Sequence, residues 1–112
     1  MSLEIDLLLH IAKGLVYNCS VYFQYGRTLA ELNRIALLLE DGVNQGIPTD
    51  ELKQLEDQAH VVQIQVVDLG LDDSLYLAAL SLGQLALCLR EPHRQKTGLA
   101  LVMAEISMSL GL

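Results

Sequence analysis

Tryptophan is absent from this 112-residue sequence, and phenylalanine occurs once, beside four tyrosines. With 52% apolar residues but only 4% aromatic ones, leucine, valine, isoleucine and alanine must carry the core, a mix that favours helices. Cysteine is nearly absent too. Cys19 and Cys88 are too few for a disulfide framework and form no CxxC pair. Cations are scarce, 7 Lys and Arg against 14 acids, a formal charge of −7. Such a chain repels phosphate backbones, which excludes nucleic acid as a general partner. Arg90, His93, Arg94 and Lys96 form the one basic turn, too short for a groove. Acidity favours solubility and, secondarily, steers a basic partner.

Long apolar runs are missing as well. The most apolar stretch, Ser74–Leu89, falls short of the ~20 residues of a spanning helix and is fenced by Asp72, Asp73 and Arg90. No membrane span is expected. The opening MSLEIDLLLHIAKG has acids before its apolar run and no basic region, unlike a secretory signal. A cytoplasmic protein is expected. There is no Gly-rich phosphate loop, no G-x-S-x-G and no H-E-x-x-H, so neither catalysis nor a cofactor is expected.

What is present points to a single helical domain over 1–112, long enough to bury a core without a metal or disulfide staple. The expected fold is all-α, a compact antiparallel bundle of about five helices around a central apolar one. Residues 3–25 read as the first helix, with Leu8, Ile11, Leu15, Cys19 and Tyr22 on one face. Asp6, His10, Lys13, Tyr17, Ser20 and Gln24 form the wetter stripe, Gly14 suggests a close helix approach, and Gly26 is a C-terminal cap. Thr28–Glu31 has the T-x-x-E spacing of a capping box opening a second helix, with Leu32, Ile35, Ala36 and Leu39 inward. That helix is expected to stop at Gly42, before a loop over 43–48.

Thr49 is the expected cap of a third helix, with Asp50 and Glu51 in its first turn. Leu52, Leu55, Ala59, Val62, Val66 and Leu69 make its seam. Val62–Val66 also alternates with period two, so a strand over 61–67 competes. Gly70 ends the helix and Asp72 or Asp73 caps the fourth. Inside Ser74–Leu89 a narrow stripe of Ser74, Ala78, Ser81, Gln84 and Cys88 lacks large apolar groups, and Ala79-x-x-x-Gly83 adds a small-residue ridge. A helix apolar nearly all round is buried all round. The fifth helix is read from Thr97 to about Ser109, with Leu99, Met103, Ile106 and Leu110 on one face and Val102 widening it.

The sequence offers little chemistry. Asp57 three residues before His60 has the spacing of one element of a helical di-metal site, but the second copy such a site needs is missing. Cys19 and Cys88 fall on helical stripes where thiols are usually small buried hydrophobes. A helix-turn-helix over 28–60 would show Asp50, Glu51, Glu56 and Asp57 to DNA, the wrong sign.

The expected function is that of a non-enzymatic protein-interaction module, either a homodimer or a heteromeric subunit such as an adaptor, secretion-type chaperone, immunity protein or anti-factor. Its partner is itself or another protein, including an amphipathic helix. The reasoning is that helix four needs more cover than four short helices provide. The expected interface is Tyr22, Phe23, Tyr25, Ala79, Leu82, Gly83, Leu101 and Met108. The alternative is a helical small-ligand or di-metal binding protein with Asp57 and His60 contributing.

Overall fold

The computed structural model describes residues 2–22 and 26–111. These form five α-helices: α1 (Leu3–Tyr22), α2 (Gly26–Gln45), α3 (Thr49–Asp68), α4 (Asp73–Arg90) and α5 (Gln95–Ser109), with one 3-10 turn at Pro92–Arg94 before α5. Cross-helix contacts show that each helix runs antiparallel to the one before it. Lys13 pairs with Glu40, Arg34 with Gln58 and Glu56 with Arg90, while Gly98 abuts Cys88.

The fold is an all-α bundle with α4 at its centre, touching each of the other four helices. Between Ser74 and Arg90 no residue is exposed, as an uncharged helix requires. The four other helices therefore cover most of α4, and the expected shortfall of cover is confined to half-buried positions such as Tyr76, Gln84, Leu87 and Leu89. Ser81 is buried within it, and its hydroxyl donates to the Leu77 carbonyl at 2.8 Å, which satisfies the one polar group in the core.

Around α4, the buried rows are Ile5, Leu8, Ala12, Val16 and Cys19 of α1, then Leu32, Ile35, Ala36 and Leu39 of α2. From α3 come Leu52, Leu55, Ala59, Val62 and Val66, and from α5 only Val102 and Gly98. The α2 and α3 rows match the periodicity. On α1 the seam is rotated: Ala12 and Val16 are buried, whereas Ile11 and Leu15 lie at its edge. Short side chains there let α1 approach α4 closely.

Residues 61–67 are helical, not a strand. Val62 and Val66 face inward, and Val61 and Ile64 outward, which is the helical period. The tail is helical through Ser109 as well.

Several boundaries differ from the expected ones. α2 begins at Gly26, whose φ is +33°; its expected role in ending the first helix turns on 23–25, which lie outside the described residues. Thr28 and Glu31 are then inside the helix. Glu31 binds the Arg34 guanidinium (Nε–Oε2 3.2 Å), a charge-assisted contact that displaces the capping box. That guanidinium holds the Glu31 carboxyl below the usual carboxylate range. α2 also runs on to Gln45, three residues past the expected stop at Gly42. At α3, Pro48 occupies the cap position without a side-chain bond, and Thr49 is already helical. α5 starts at Gln95 because the 3-10 turn leads directly into it, so Thr97 caps nothing.

The α3–α4 connection follows the sequence closely. Gly70 has φ +63°, and the amides of Gly70 and Leu71 donate to the carbonyls of Val67 and Val66. This is a Schellman ending, which needs the left-handed residue that glycine supplies. Asp72 then caps α4 by accepting from the Ser74 amide at 2.8 Å. Leu69, expected in the α3 seam, sits in this turn and is exposed.

Candidate interaction surface

α5 is where apolar character and burial part company. From Thr97 to Leu110 its only charge is Glu105, yet it rests on α4 by one narrow face. That contact is close because Gly98 has no side chain: a Cβ there would stand 2.4 Å from Cys88 Sγ and 3.3 Å from Gln84 Oε1. The small-residue stripe of α4 thus meets its tightest neighbour at Cys88. Leu99 and Ile106 are half-buried along the core edge. Leu101, Met103, Met108 and Leu110 remain 41–71% exposed.

Two shallow hollows lie on different flanks of α4. The first, of about 290 Å³, is between α3 and α4, bordered by Glu56, His60 and Gln63 of α3 and by Leu80 and Gln84 of α4. The second, of about 280 Å³, is between α4 and α5, bordered by Asp73, Tyr76 and Leu77 of α4 and by Glu105 and Met108 of α5. Leu101 lies one heptad before Met108, on the same flank of α5.

Charge around the two hollows, the second of them at the N-terminal end of α4 and the first farther along it, is uneven. At the first, Glu56 binds Arg90 at 2.6 Å, Arg90 also reaches Glu91 at 3.2 Å, and Lys53 binds Asp57 at 3.1 Å. The Glu56 carboxylate, hydrogen-bonded to the Arg90 guanidinium, raises the arginine's pKa. At the second, Asp73 and Glu105 border the hollow together, two carboxyl groups beside an apolar floor.

The expected interface residues divide into four groups. Leu101 and Met108 are on the surface, 41% and 71% exposed. Ala79 and Leu82 are fully buried, so neither belongs to any surface of the folded chain. Gly83 is partly covered by Ala59 of α3, 3.6 Å from where its Cβ would be. The Ala79-x-x-x-Gly83 ridge thus meets α3 from within the same chain. Tyr22 closes α1, and Phe23 and Tyr25 lie outside the described residues.

Asp57 and His60 both border the first hollow, but Asp57 is engaged by Lys53. Among the described residues, no three of His, Cys, Asp and Glu are grouped to hold a metal ion. Both thiols are buried. Burial first, and the Asp72 charge second, push Cys19 up to about 11. Burial also raises Cys88, partly offset by Arg94, whose carbonyl accepts from the thiol at 3.5 Å. Neither is a ready nucleophile.

Periodicity reading missed the outward rows of α1 and α3. Leu3, Leu7, Tyr17 and Val21 are 39–68% exposed on α1, and Val61, Ile64 and Val67 are 48–64% exposed on α3. Both signals were present as second apolar rows, hidden by polar residues between them. No helix among the described residues is long and apolar enough to cross a membrane. No family model, curated protein or solved structure matches this chain.

Proposed function

We propose that this chain is a protein-interaction module rather than an enzyme, and that it holds an amphipathic helix of another protein along α5 and the hollow between α4 and α5. The observation that carries this reading is the exposure of Leu101, Met103, Met108 and Leu110 on a helix with a single charge over fourteen residues. Exposed apolar surface of this extent is a mark of interaction sites. Methionine suits such a face because its flexible thioether adapts to a partner's shape. Asp73 and Glu105 beside the apolar floor, on a chain of charge −7, favour a helix with basic flanks. Adaptor and chaperone-like roles use this mode of recognition.

The test is affinity capture from the source cells with the intact chain, alongside Leu101→Asp and Met108→Asp. The expected result is a partner held by the unmodified chain and lost by both variants, whose binding segment is a basic amphipathic helix. A partner that binds all three equally would overturn the assignment of this face.

A further inference from the structure

The outward face of α1 carries a second regularity. Leu3, Leu7, His10, Gly14, Tyr17 and Val21 follow one another at intervals of four, three, four, three and four, the spacing of a coiled-coil seam. All six are exposed, and Leu3, Leu7, Tyr17 and Val21 are 68%, 39%, 68% and 58% so. We infer that this row is a dimer interface in which two copies of α1 pack antiparallel about a two-fold axis beside Ala12.

The row is self-complementary in that arrangement. Reversing it about its midpoint sets Leu3 against Val21 of the second copy, Leu7 against Tyr17, and His10 against Gly14. Each apolar residue meets an apolar one. Each imidazole meets the one position without a side chain, where a Cβ would find nothing within 4 Å in the single chain. A parallel pair would stack His10 on His10 and leave Gly14 opposite Gly14, with bulk on bulk and a void on a void. It would also bring together the acids of both first turns, Glu4 and Asp6. The antiparallel pair separates them by roughly 20 Å, at 1.5 Å of rise per residue, and opposes the helix dipoles favourably.

The area is of the right order. Leu37 of α2, 64% exposed, borders the same hollow as Tyr17 and widens the row. These five side chains present roughly 500 Å² of apolar surface, the larger part of the about 800 Å² per partner in a standard interface. Lys13, the only cation of α1, is already held by Glu40.

The experiment is sedimentation of the full chain up to about 100 μM, a range that captures micromolar association, with Leu7→Asp and Tyr17→Asp beside it. The expected result is twice the 12.3 kDa chain mass for the unmodified protein. Both variants are expected to be monomers, at least tenfold weaker in association, with unchanged circular dichroism because both side chains are exposed. Direction is read by oxidising a mixture of Leu7→Cys and Tyr17→Cys chains, since Cys19 and Cys88 are buried. Cross-linking between the two variants, and not within Leu7→Cys alone, is expected. An unmodified monomer throughout, a dimer indifferent to both aspartates, or self-cross-linking of Leu7→Cys would overturn the inference. Loss of partner capture by Leu101→Asp is a separate readout, so this dimer and the α5 face succeed or fail independently.

Discussion

Replacing Gly98 by alanine adds one methyl group at a tight contact between α4 and α5. Its carbon would stand 2.4 Å from Cys88 Sγ and 3.3 Å from Gln84 Oε1. The glutamine is half-buried and can swing aside, but Cys88 is fully buried and has little room to rotate. Overpacking of this kind costs about 1–3 kcal/mol. Alanine returns up to about 1 kcal/mol in helix propensity. The net expectation is a loss of about 1–2 kcal/mol, the difference between these two effects. At about 4 °C per kcal/mol for a domain of this size, the melting temperature falls by roughly 4–8 °C.

Cys88→Ala alone removes a buried sulfur and costs on the order of 1 kcal/mol. The double variant moves volume from α4 to α5 and leaves the total nearly unchanged. It is expected near the original stability, with a favourable coupling of about 2–3 kcal/mol. The assay is urea unfolding followed by far-ultraviolet circular dichroism, since the chain has no tryptophan to report by fluorescence. A Gly98→Ala variant as stable as the parent, or two losses that simply add, would refute the idea that this thiol and this glycine set the α4–α5 distance.

Three further outcomes are expected. Gly83→Ala gains about 0.5–1 kcal/mol in the same assay, because its Cβ meets Ala59 at an ordinary 3.6 Å while the helix loses a glycine. Leu82→Asp gives an unfolded or aggregated chain by circular dichroism and gel filtration, since burying a charge at a fully buried site costs several kcal/mol; Leu101→Asp, at an exposed site, folds normally. Alkaline titration weakens the fold from about pH 9 to about 11, measured as a falling urea midpoint. The sign follows from Cys19: burial raises its pKa, so over that window the unfolded chain releases a proton that the folded chain retains. Substituting Cys19 by alanine removes that part of the slope.

The exposed face of α5 shows how far local pattern reaches. Leu101 and Met108 were legible as outward apolar positions of α5. Ala79 and Leu82 were read as surface because a helix apolar on every side gives no direction, and only the four helices packed around it supply one. Gly14 and Gly98 make the same point. Both are glycines inside helices, but Gly98 faces Cys88 across a tight contact and Gly14 faces open space. Sequence cannot rank them, because the difference belongs to what lies opposite.

By itself, the sequence determined the elements with a short-range cause. The inward rows of α2 and α3 follow from helical spacing, the α3 ending from Gly70, and the start of α4 from Asp72 beside Ser74. The burial of Ser74–Arg90 follows from the absence of charge before Arg90. Tertiary structure decided what depends on competing partners. Glu31 left a cap for a guanidinium, Thr97 lost a cap role to a 3-10 turn, and α3 and α5 were kept apart. It also fixed which of two apolar rows each of α1 and α5 turns inward. On α5 the row left outside, Leu101, Met103, Met108 and Leu110, is the larger one, so the hydrophobic effect alone does not choose. The choice falls to steric fit against α4, which admits Ala12 and Gly98 and leaves Leu7 and Leu101 outside.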